Sequence, residues 1–287
     1  MKILVTGATG TIGSQVARAL LDRGAEVRVD LRDPAKGKAL ADAGAEVVPL
    51  DFDEPATLAG AFDGIDRLFL LTPFVETFLP QVEAAVSAAK AAGAKVVVRL
   101  SALGADPNAD DGLAGQHGKA EEIVKGSGLD WVVVRPTFFA DNVLTYQGAQ
   151  VAQGSFYGAS HGGKVAYVSS RDIGEAVAAI LAEPSRHVGQ TYTLTGPTAV
   201  SDDEVAQLLT AIADRKIAYV DLSGEQLLQG QIDAGAPRWM AEHLVALEGV
   251  KAAGWAASTS DDIRRILGCD PEAPRALLER HAGSLRA

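Results

Sequence analysis

The stretch Val5-Thr6-Gly7-Ala8-Thr9-Gly10-Thr11-Ile12-Gly13 follows an apolar run, Lys2–Thr6, and opens a helical pattern over residues 12–23. Three glycines at intervals of three, set between a strand and a helix, have a specific physical meaning. Gly7 permits the tight turn out of the strand. Gly10 lets the backbone approach a pyrophosphate that a Cβ would obstruct, and Gly13 allows the helix to pack closely on the sheet. The start of the helix, at Thr9, Thr11 and Ile12, offers N–H groups and the positive end of a dipole to phosphates. A glycine-rich turn without a ligand is the plainer alternative. The strand before and the helix after are the context that favours dinucleotide binding.

The pattern continues outward. Glu26–Leu31, Glu46–Leu50, Arg67–Leu71, Lys95–Leu100 and Trp131–Arg135 are apolar runs of strand length. Most are nearly continuous in Val, Ile and Leu, as in strands of a parallel sheet covered on both faces. Helical patterns near 34–43, 55–62, 77–92 and 114–125 alternate with them. This predicts an α/β fold of Rossmann type, a doubly wound parallel sheet. The rhythm changes after about residue 140, where Gly154, Gly158, Gly162 and Gly163 mark a long loop region. A helix then runs from Ser169/Ser170 to before Pro184, and Gln190–Thr195 reads as a strand. Ser201 and Glu204 form a capping box, Lys216–Leu222 is a strand candidate, and the pattern from Gly224 onward is helical. We expect a dinucleotide domain over 1–153. A smaller, mostly helical lobe over 154–287 is expected to cover the substrate, with the strand near 190–195 returning to the main sheet.

Composition narrows the function classes. Of 287 residues, 47% are hydrophobic and 22% charged, values of an ordinary folded core. The formal net charge of −11 repels phosphate backbones, so no nucleic-acid partner is expected. The single cysteine, Cys269, cannot form an internal disulfide or a thiolate metal site, and the five histidines are scattered, so no metal is expected. No segment approaches the ~20 apolar residues of a membrane helix. A cytoplasmic protein acting on a small molecule is expected, as a monomer or a homodimer. There is no Gly-x-Ser-x-Gly elbow, and the glycine loop lacks the Gly-Lys-Ser/Thr ending of a nucleotide triphosphatase.

The Gly-x-x-Gly-x-x-Gly spacing joins several further stretches: Asp51-Phe52-Asp53, Arg99-Leu100-Ser101-Ala102-Leu103-Gly104, His117-Gly118-Lys119-Ala120-Glu121, Ser127-Gly128-Leu129, the run from Arg135-Pro136-Thr137-Phe138-Phe139 to Asp141-Asn142, and Thr193-Leu194-Thr195-Gly196-Pro197. Together these resemble the atypical, NmrA-like branch of the short-chain dehydrogenase/reductase superfamily, clearly to about residue 222 and more vaguely beyond. Quinone reductases, dye reductases and redox-sensing regulators occur in that branch. The resemblance implies that Asp51 and Phe52 contact adenine and that Asn142 lies near the pocket.

The end of the second strand should read the adenosine ribose. Arg32 and Lys36 suit a 2′-phosphate, as an Arg there does in the resembled family. Asp30 stands 17 residues past Gly13, where a ribose-binding acid is expected, and would repel that phosphate. Alternatively, Asp30 pairs with Arg28 on the same strand face. The balance favours NADP(H) over NAD(H), with dual use open.

Typical members of the superfamily use a Tyr and a Lys four apart on a helix, with a Ser at the preceding strand end. This chain keeps the Ser, as Ser101, and places His117 and Glu121 at the other two positions. His117 is then the candidate proton donor, with Glu121 raising its pKa. In the plainer readings His117 bonds to backbone at a helix start and Ser101 caps a turn. Losing the Tyr–Lys pair favours conjugated acceptors, which spread incoming charge and need orientation more than an acid. Thr72, Pro136 and Thr137, at strand ends, are expected beside the nicotinamide. Phe74, Phe138, Phe139 and Asn142 are expected around the substrate, unless the phenylalanines are plain core and Asn142 a helix N-cap. The expected activity is NAD(P)H-dependent reduction of a small conjugated acceptor; the alternative is a non-catalytic redox sensor on the same fold.

Overall fold

Ile3, Leu4 and Val5 have no exposed surface, because the first strand, β1 (Lys2–Val5), is hydrogen-bonded on both sides, to β2 (Glu26–Leu31) and β4 (Arg67–Leu70). The computed structural model describes residues 1–32, 37–110, 112–139 and 141–281. Beyond β2 lies β3 (Glu46–Pro49). Beyond β4 come β5 (Val96–Leu100), β6 (Asp130–Pro136) and β9 (Thr191–Leu194). The seven strands run in the order β3-β2-β1-β4-β5-β6-β9, and every pairing is parallel. Strand order reverses between β1 and β4. In such sheets a crevice opens there, beyond the carboxyl ends of the strands.

The helices between the strands are α1 (Thr11–Asp22), α2 (Lys38–Asp42), α3 (Ala56–Phe62), α4 (Phe78–Ala91) and α5 (Leu113–Lys125). The α1 helix buries Ile12, Val16, Ala17 and Leu20. Another core joins Phe62, Leu68, Leu70, Phe78, Val82, Val97 and Val124. The later helix α7 (Ser170–Ala182) packs on α1 so closely that a Cβ on Gly174 would lie 2.6 Å from Cβ of Gln15.

The chain divides into two units. The first combines Met1–Pro136, Ser170–Leu194 and Asp262–Gly268, and so includes α7, β9 and the short α11 (Asp262–Leu267). The strand near 190–195 therefore does return to the main sheet. The second unit holds Thr137–Ser169, Thr195–Asp261 and the segment from Cys269. It contains α6 (Asp141–Ala152), α8 (Asp202–Ala213), α9 (Gly224–Asp233), α10 (Arg238–Ala252) and α12 (Pro274–His281). Its strands lie partly where a loop region was expected. The β7 strand (Ser155–Gly158) pairs in parallel with β11 (Ala218–Asp221), and β8 (Lys164–Val165) pairs antiparallel with β10 (Val200–Ser201). The division falls after Pro136, whereas the sequence suggested a boundary after residue 153.

Ser201 caps α8 with the expected box. Its hydroxyl accepts from Glu204 N at 3.2 Å, and Glu204 accepts from Ser201 N at 2.7 Å, an arrangement that contributes about 1 kcal/mol. Among the described residues no helix is long and apolar enough to cross a membrane. Nor do they hold a group of three or more side chains suited to a metal ion.

Candidate functional site

The turn after β1 is held by Thr6, which is fully buried. Its hydroxyl lies 3.1 Å from the carbonyl oxygen of Phe69 and 3.0 Å from that of Leu71, and it accepts from Leu71 N at 2.8 Å. Gly7 then takes φ +70°, a left-handed conformation that side chains rarely adopt. Its carbonyl accepts from Gly10 N at 2.9 Å. A Cβ on Gly13 would sit 2.1 Å from that same carbonyl oxygen, so α1 approaches the turn as closely as backbone allows. Gly10 is the N-cap of α1 and makes no side-chain cap bond, which leaves the first-turn amides of Thr11 and Ile12 at an uncapped, electropositive helix end.

Beside this turn is a cavity of about 430 Å³ lined by Gly7, Thr9, Gly10, Asp30, Arg32, Asp51, Phe52 and Thr72. Eight of the residues assigned to the cofactor from sequence thus meet around one space, all in the first unit. Leu31, Leu50, Asp53, Leu71, Pro73, Val75 and Gln81 complete the wall. None of these seven carried a site role from the sequence beyond the place of Asp53 in a family stretch. Gln81 did carry a signal, as a polar residue one turn after Thr77 on the buried face of α4. Its Nε2 donates to Asp53 Oδ1 at 2.8 Å and to Thr77 Oγ1 at 2.9 Å, bracing the wall. The combination fits a dinucleotide. An uncapped helix start suits a pyrophosphate, Leu31, Leu50 and Phe52 offer an apolar seat, and the exposed Arg32 stands at the rim. Lys36 lies outside the described residues.

The suggested pairing of Asp30 with Arg28 does not occur. Arg28 turns away: Nη1 donates to the carbonyls of Ala61 at 2.9 Å and Asp63 at 2.6 Å, and Nη2 pairs with Glu46 at 2.9 Å. Asp30 is buried, and its Oδ1 accepts from Ala8 N at 3.2 Å. Burial pushes its carboxyl up to about 6, although the backbone amides of Ala8 and Gly7 pull the other way.

A second group of polar residues lies under α5. Ser101 donates to Glu121 Oε1 at 2.6 Å. Arg135 grips the same carboxylate with two bonds, Nε to Oε1 at 2.7 Å and Nη2 to Oε2 at 2.6 Å, and Lys125 Nζ reaches Oε2 at 3.1 Å. Burial works to raise the Glu121 pKa, but the bonds from Arg135 and Ser101 outweigh it and leave the carboxyl below its ordinary value. Glu121 is thus an anchored carboxylate shared by Ser101 and two cations. The His117 ring stacks on Phe74, with centroids 5.9 Å apart and planes parallel within 1°, and tilts against Phe78 at 5.1 Å. Phe74 packs against the apolar core that includes Phe78 and is not among the residues lining the cavity.

Arg99 completes this region and was not singled out from sequence as a site residue. It has no exposed surface; Nη1 donates to Leu70 O at 3.0 Å and Nη2 to Thr72 Oγ1 at 3.4 Å, with the guanidinium 5.2 Å from the Phe78 ring centre.

The remaining expected residues follow β6. Pro136 ends that strand, and its carbonyl accepts from Leu103 N at 3.1 Å. Thr137, Phe138, Phe139 and Asn142 belong to the second unit. Thr137 donates to Ala166 O at 2.7 Å, Phe138 O accepts from Val168 N at 3.0 Å, and Phe139 forms a bridge with Val168. Lys251 Nζ stands 5.4 Å from the centre of the Phe138 ring. Asn142 lies within the first turn of α6.

Comparison with known proteins agrees with this geometry. A family model described as NAD(P)H-binding matches residues 7–184. The NAD(P)H azoreductase of Xenophilus azovorans is 34% identical over 99% of both chains. The crystal structure of the NADPH-dependent quinone oxidoreductase QOR2 of Escherichia coli, complexed with NADPH, superposes with a TM-score of 0.85 at 29% identity, covering 96% of this chain and 97% of that one. The Citrobacter sp. triphenylmethane reductase complexed with NADP(H) gives a TM-score of 0.84 at 26% identity, over 96% and 99% of the two chains.

Proposed function

Because the chain belongs to the NAD(P)H-binding family, we propose that it is a reductase that takes NADPH in preference to NADH and reduces a small conjugated acceptor, a quinone or an azo or triphenylmethane dye. The observation that carries this reading is the glycine turn and uncapped α1 start opening on a cavity with Arg32 at its rim. Gly7, Gly10 and the first-turn amides would hold the pyrophosphate, and Arg32 the 2′-phosphate. Asp30 works against that preference: its Oδ1 accepts from Ala8 N, but a carboxyl pushed up to about 6 is still mostly ionised at pH 7, so Arg32 has to outweigh it at the 2′-phosphate.

When bound, the reduced nicotinamide supplies the hydride. The chain supplies little acid chemistry. Ser101 spends its hydroxyl hydrogen in a hydrogen bond to Glu121, and Glu121 is held ionised by Arg135 and Lys125, so neither is a ready proton donor. His117, set against Phe74 and Phe78, is the proton donor left from the expected trio. An acceptor that delocalises the incoming charge can take its proton later from water, which suits this arrangement better than a simple ketone does. The azoreductase, quinone oxidoreductase and triphenylmethane reductase relatives point to the same acceptor class.

The test is oxidation of NADPH and NADH, followed by loss of the reduced-nicotinamide absorbance, against a benzoquinone, a naphthoquinone, an azo dye, a triphenylmethane dye and a ketone. Turnover with a conjugated acceptor, faster with NADPH and negligible with the ketone, is the expected result. Tight NADPH binding without turnover on any of them would favour the sensor reading, to which the locked Ser101–Glu121 pair also lends itself.

A further inference from the structure

We propose that Arg99 makes the dinucleotide site discriminate against the oxidised cofactor, by keeping an uncompensated positive charge in the interior behind the cavity wall. The inference rests on the dinucleotide reading above and adds a redox selectivity to it.

Arg99 heads the fully buried side chains by volume. Its hydrogen-bond partners, Leu70 O and Thr72 Oγ1, are neutral, its Nε has no partner, and its face lies on the Phe78 ring. Burying a cation without an ionic partner is costly unless the surroundings use the charge. The carboxylate that acts on it electrostatically is Glu121, whose oxygens are already held by Ser101, Arg135 and Lys125. The cluster therefore holds three cations, Arg99, Arg135 and Lys125, to two anions, Glu121 and the exposed Glu122 that pairs with Lys125 at 3.4 Å, and neither anion forms an ion pair with Arg99. Burial lowers the Arg99 pKa to about 9, which leaves the guanidinium charged at neutral pH.

The position of that charge matters. Thr72, which accepts from Arg99, lines the cavity. The glycine turn and the ends of β2 and β3, with Asp30 and Asp51, form the side of the switch point suited to the adenosine half of a dinucleotide. Thr72 follows β4, on the side suited to the nicotinamide half. The two redox forms of nicotinamide differ by one unit of charge on the ring, the oxidised form being the cation. A buried cation behind that half raises the free energy of the oxidised form and leaves the neutral reduced form nearly untouched. The site would then load the reduced cofactor selectively and release the oxidised one once the hydride has been transferred.

The test compares dissociation constants of NADPH and NADP⁺, by calorimetry, in the wild type and in Arg99→Met, Arg99→Lys and Glu121→Gln. The NADP⁺/NADPH ratio of dissociation constants is expected to fall about tenfold in Arg99→Met, the size of effect given by unit charges on the order of 10 Å apart at an effective dielectric near 20. Arg99→Lys, which keeps the charge, should keep the ratio. Glu121→Gln, which removes the opposing anion, should raise it. An unchanged ratio in a folded Arg99→Met overturns the proposal. If Arg99→Met does not fold, an unchanged or lowered ratio in Glu121→Gln overturns it instead. A wild type that binds neither form overturns the dinucleotide reading itself, whereas one that binds both with a ratio insensitive to these charges overturns only this inference.

Discussion

The glycine turn after β1 and the polar cluster under α5 both sit near the carboxyl ends of one parallel sheet, and they are built by opposite means. The turn works by absence: Gly7, Gly10 and Gly13 leave room where side chains would intrude, next to an uncapped helix start. The cluster works by excess, with Arg99, Arg135 and Lys125 gathered around the buried carboxylate of Glu121. A void tolerates nothing added, whereas a charge cluster tolerates nothing removed. The two regions should therefore fail under opposite kinds of substitution.

The largest effect is expected at the turn. Gly13→Ala places a Cβ 2.1 Å from the Gly7 carbonyl oxygen, so the strand–helix junction must open. We expect loss of dinucleotide binding by calorimetry and a stability loss of roughly 2–3 kcal/mol in urea unfolding. Wild-type affinity in Gly13→Ala would mean that the turn is more pliable than this packing implies. In the cluster, Glu121→Ala should cost about 3 kcal/mol, because it leaves Arg135 and Arg99 without their shared anion. Ser101→Ala removes one hydrogen bond to that anion and should cost only about 1 kcal/mol. Equal losses in the two variants would break the view that Glu121 is the hub.

Asp30 joins the two themes, being a buried charge held by the turn. Its folded pKa of about 6 lies above the ordinary value of 3.8, so the folded state binds the proton more tightly than the unfolded chain does. The sign follows from linkage: this group's contribution to stability is fully present below pH ~4, fades as pH rises to about 6, and amounts to roughly 2–3 kcal/mol. Acidification from pH 7 to 5 should therefore raise the wild-type unfolding midpoint relative to that of Asp30→Asn, in which this contribution is missing. A parallel pH dependence of the two midpoints would count against a buried, titrating Asp30. A modest effect on binding, with none on stability, is expected at the exposed rim. Arg32→Ala should weaken NADPH binding about tenfold, as for one charge-assisted hydrogen bond, and leave NADH binding unchanged. Equal losses for both cofactors would move Arg32 away from the 2′-phosphate.

The same contrast explains what could be read from the sequence. A backbone that must turn at φ +70° and then touch its own helix demands glycine, so the turn was visible as three letters in the right context. The parallel sheet was visible because strands buried on both faces read as unbroken runs of Val, Ile and Leu. The cluster was visible only in part. Ser101 and Glu121 were picked out, but as partners of a substrate and of His117. Glu121 is held by Arg135 and Lys125, with Arg99 acting on it at longer range. Arg99 and Arg135 end two apolar runs of the same form, Val96-Val97-Val98-Arg99 and Val132-Val133-Val134-Arg135, on neighbouring strands whose register sets Arg99 opposite Val133. A cation closing each of two apolar runs was the available signal. The short strands β7 and β8 escaped because two to four residues among glycines carry too little periodicity to register. The return of β9 to the sheet was legible as a strand-length run near 190–195, but the membership of α11, near the far end of the chain, in the first unit depends on contacts between distant segments that no local pattern reveals.

The seating of Gly174 against Gln15 has a consequence for biosynthesis. The helix that covers α1 is encoded after the first segment of the second unit, and the last piece of the nucleotide-binding unit, α11, ends only at Leu267. A ribosome that has released the first 136 residues has therefore produced six strands of the sheet, but neither β9 nor the partner helix of α1. Until translation has passed Leu194, apolar surface meant for α7 and β9 remains in water, open to chaperones or to other nascent chains, and the place of α11 stays unfilled for about seventy residues more. A gene cut after the sixth strand, however natural that point looks, would yield a glycine turn attached to an unfinished sheet. Grafting this cofactor module onto another protein requires all three of its segments.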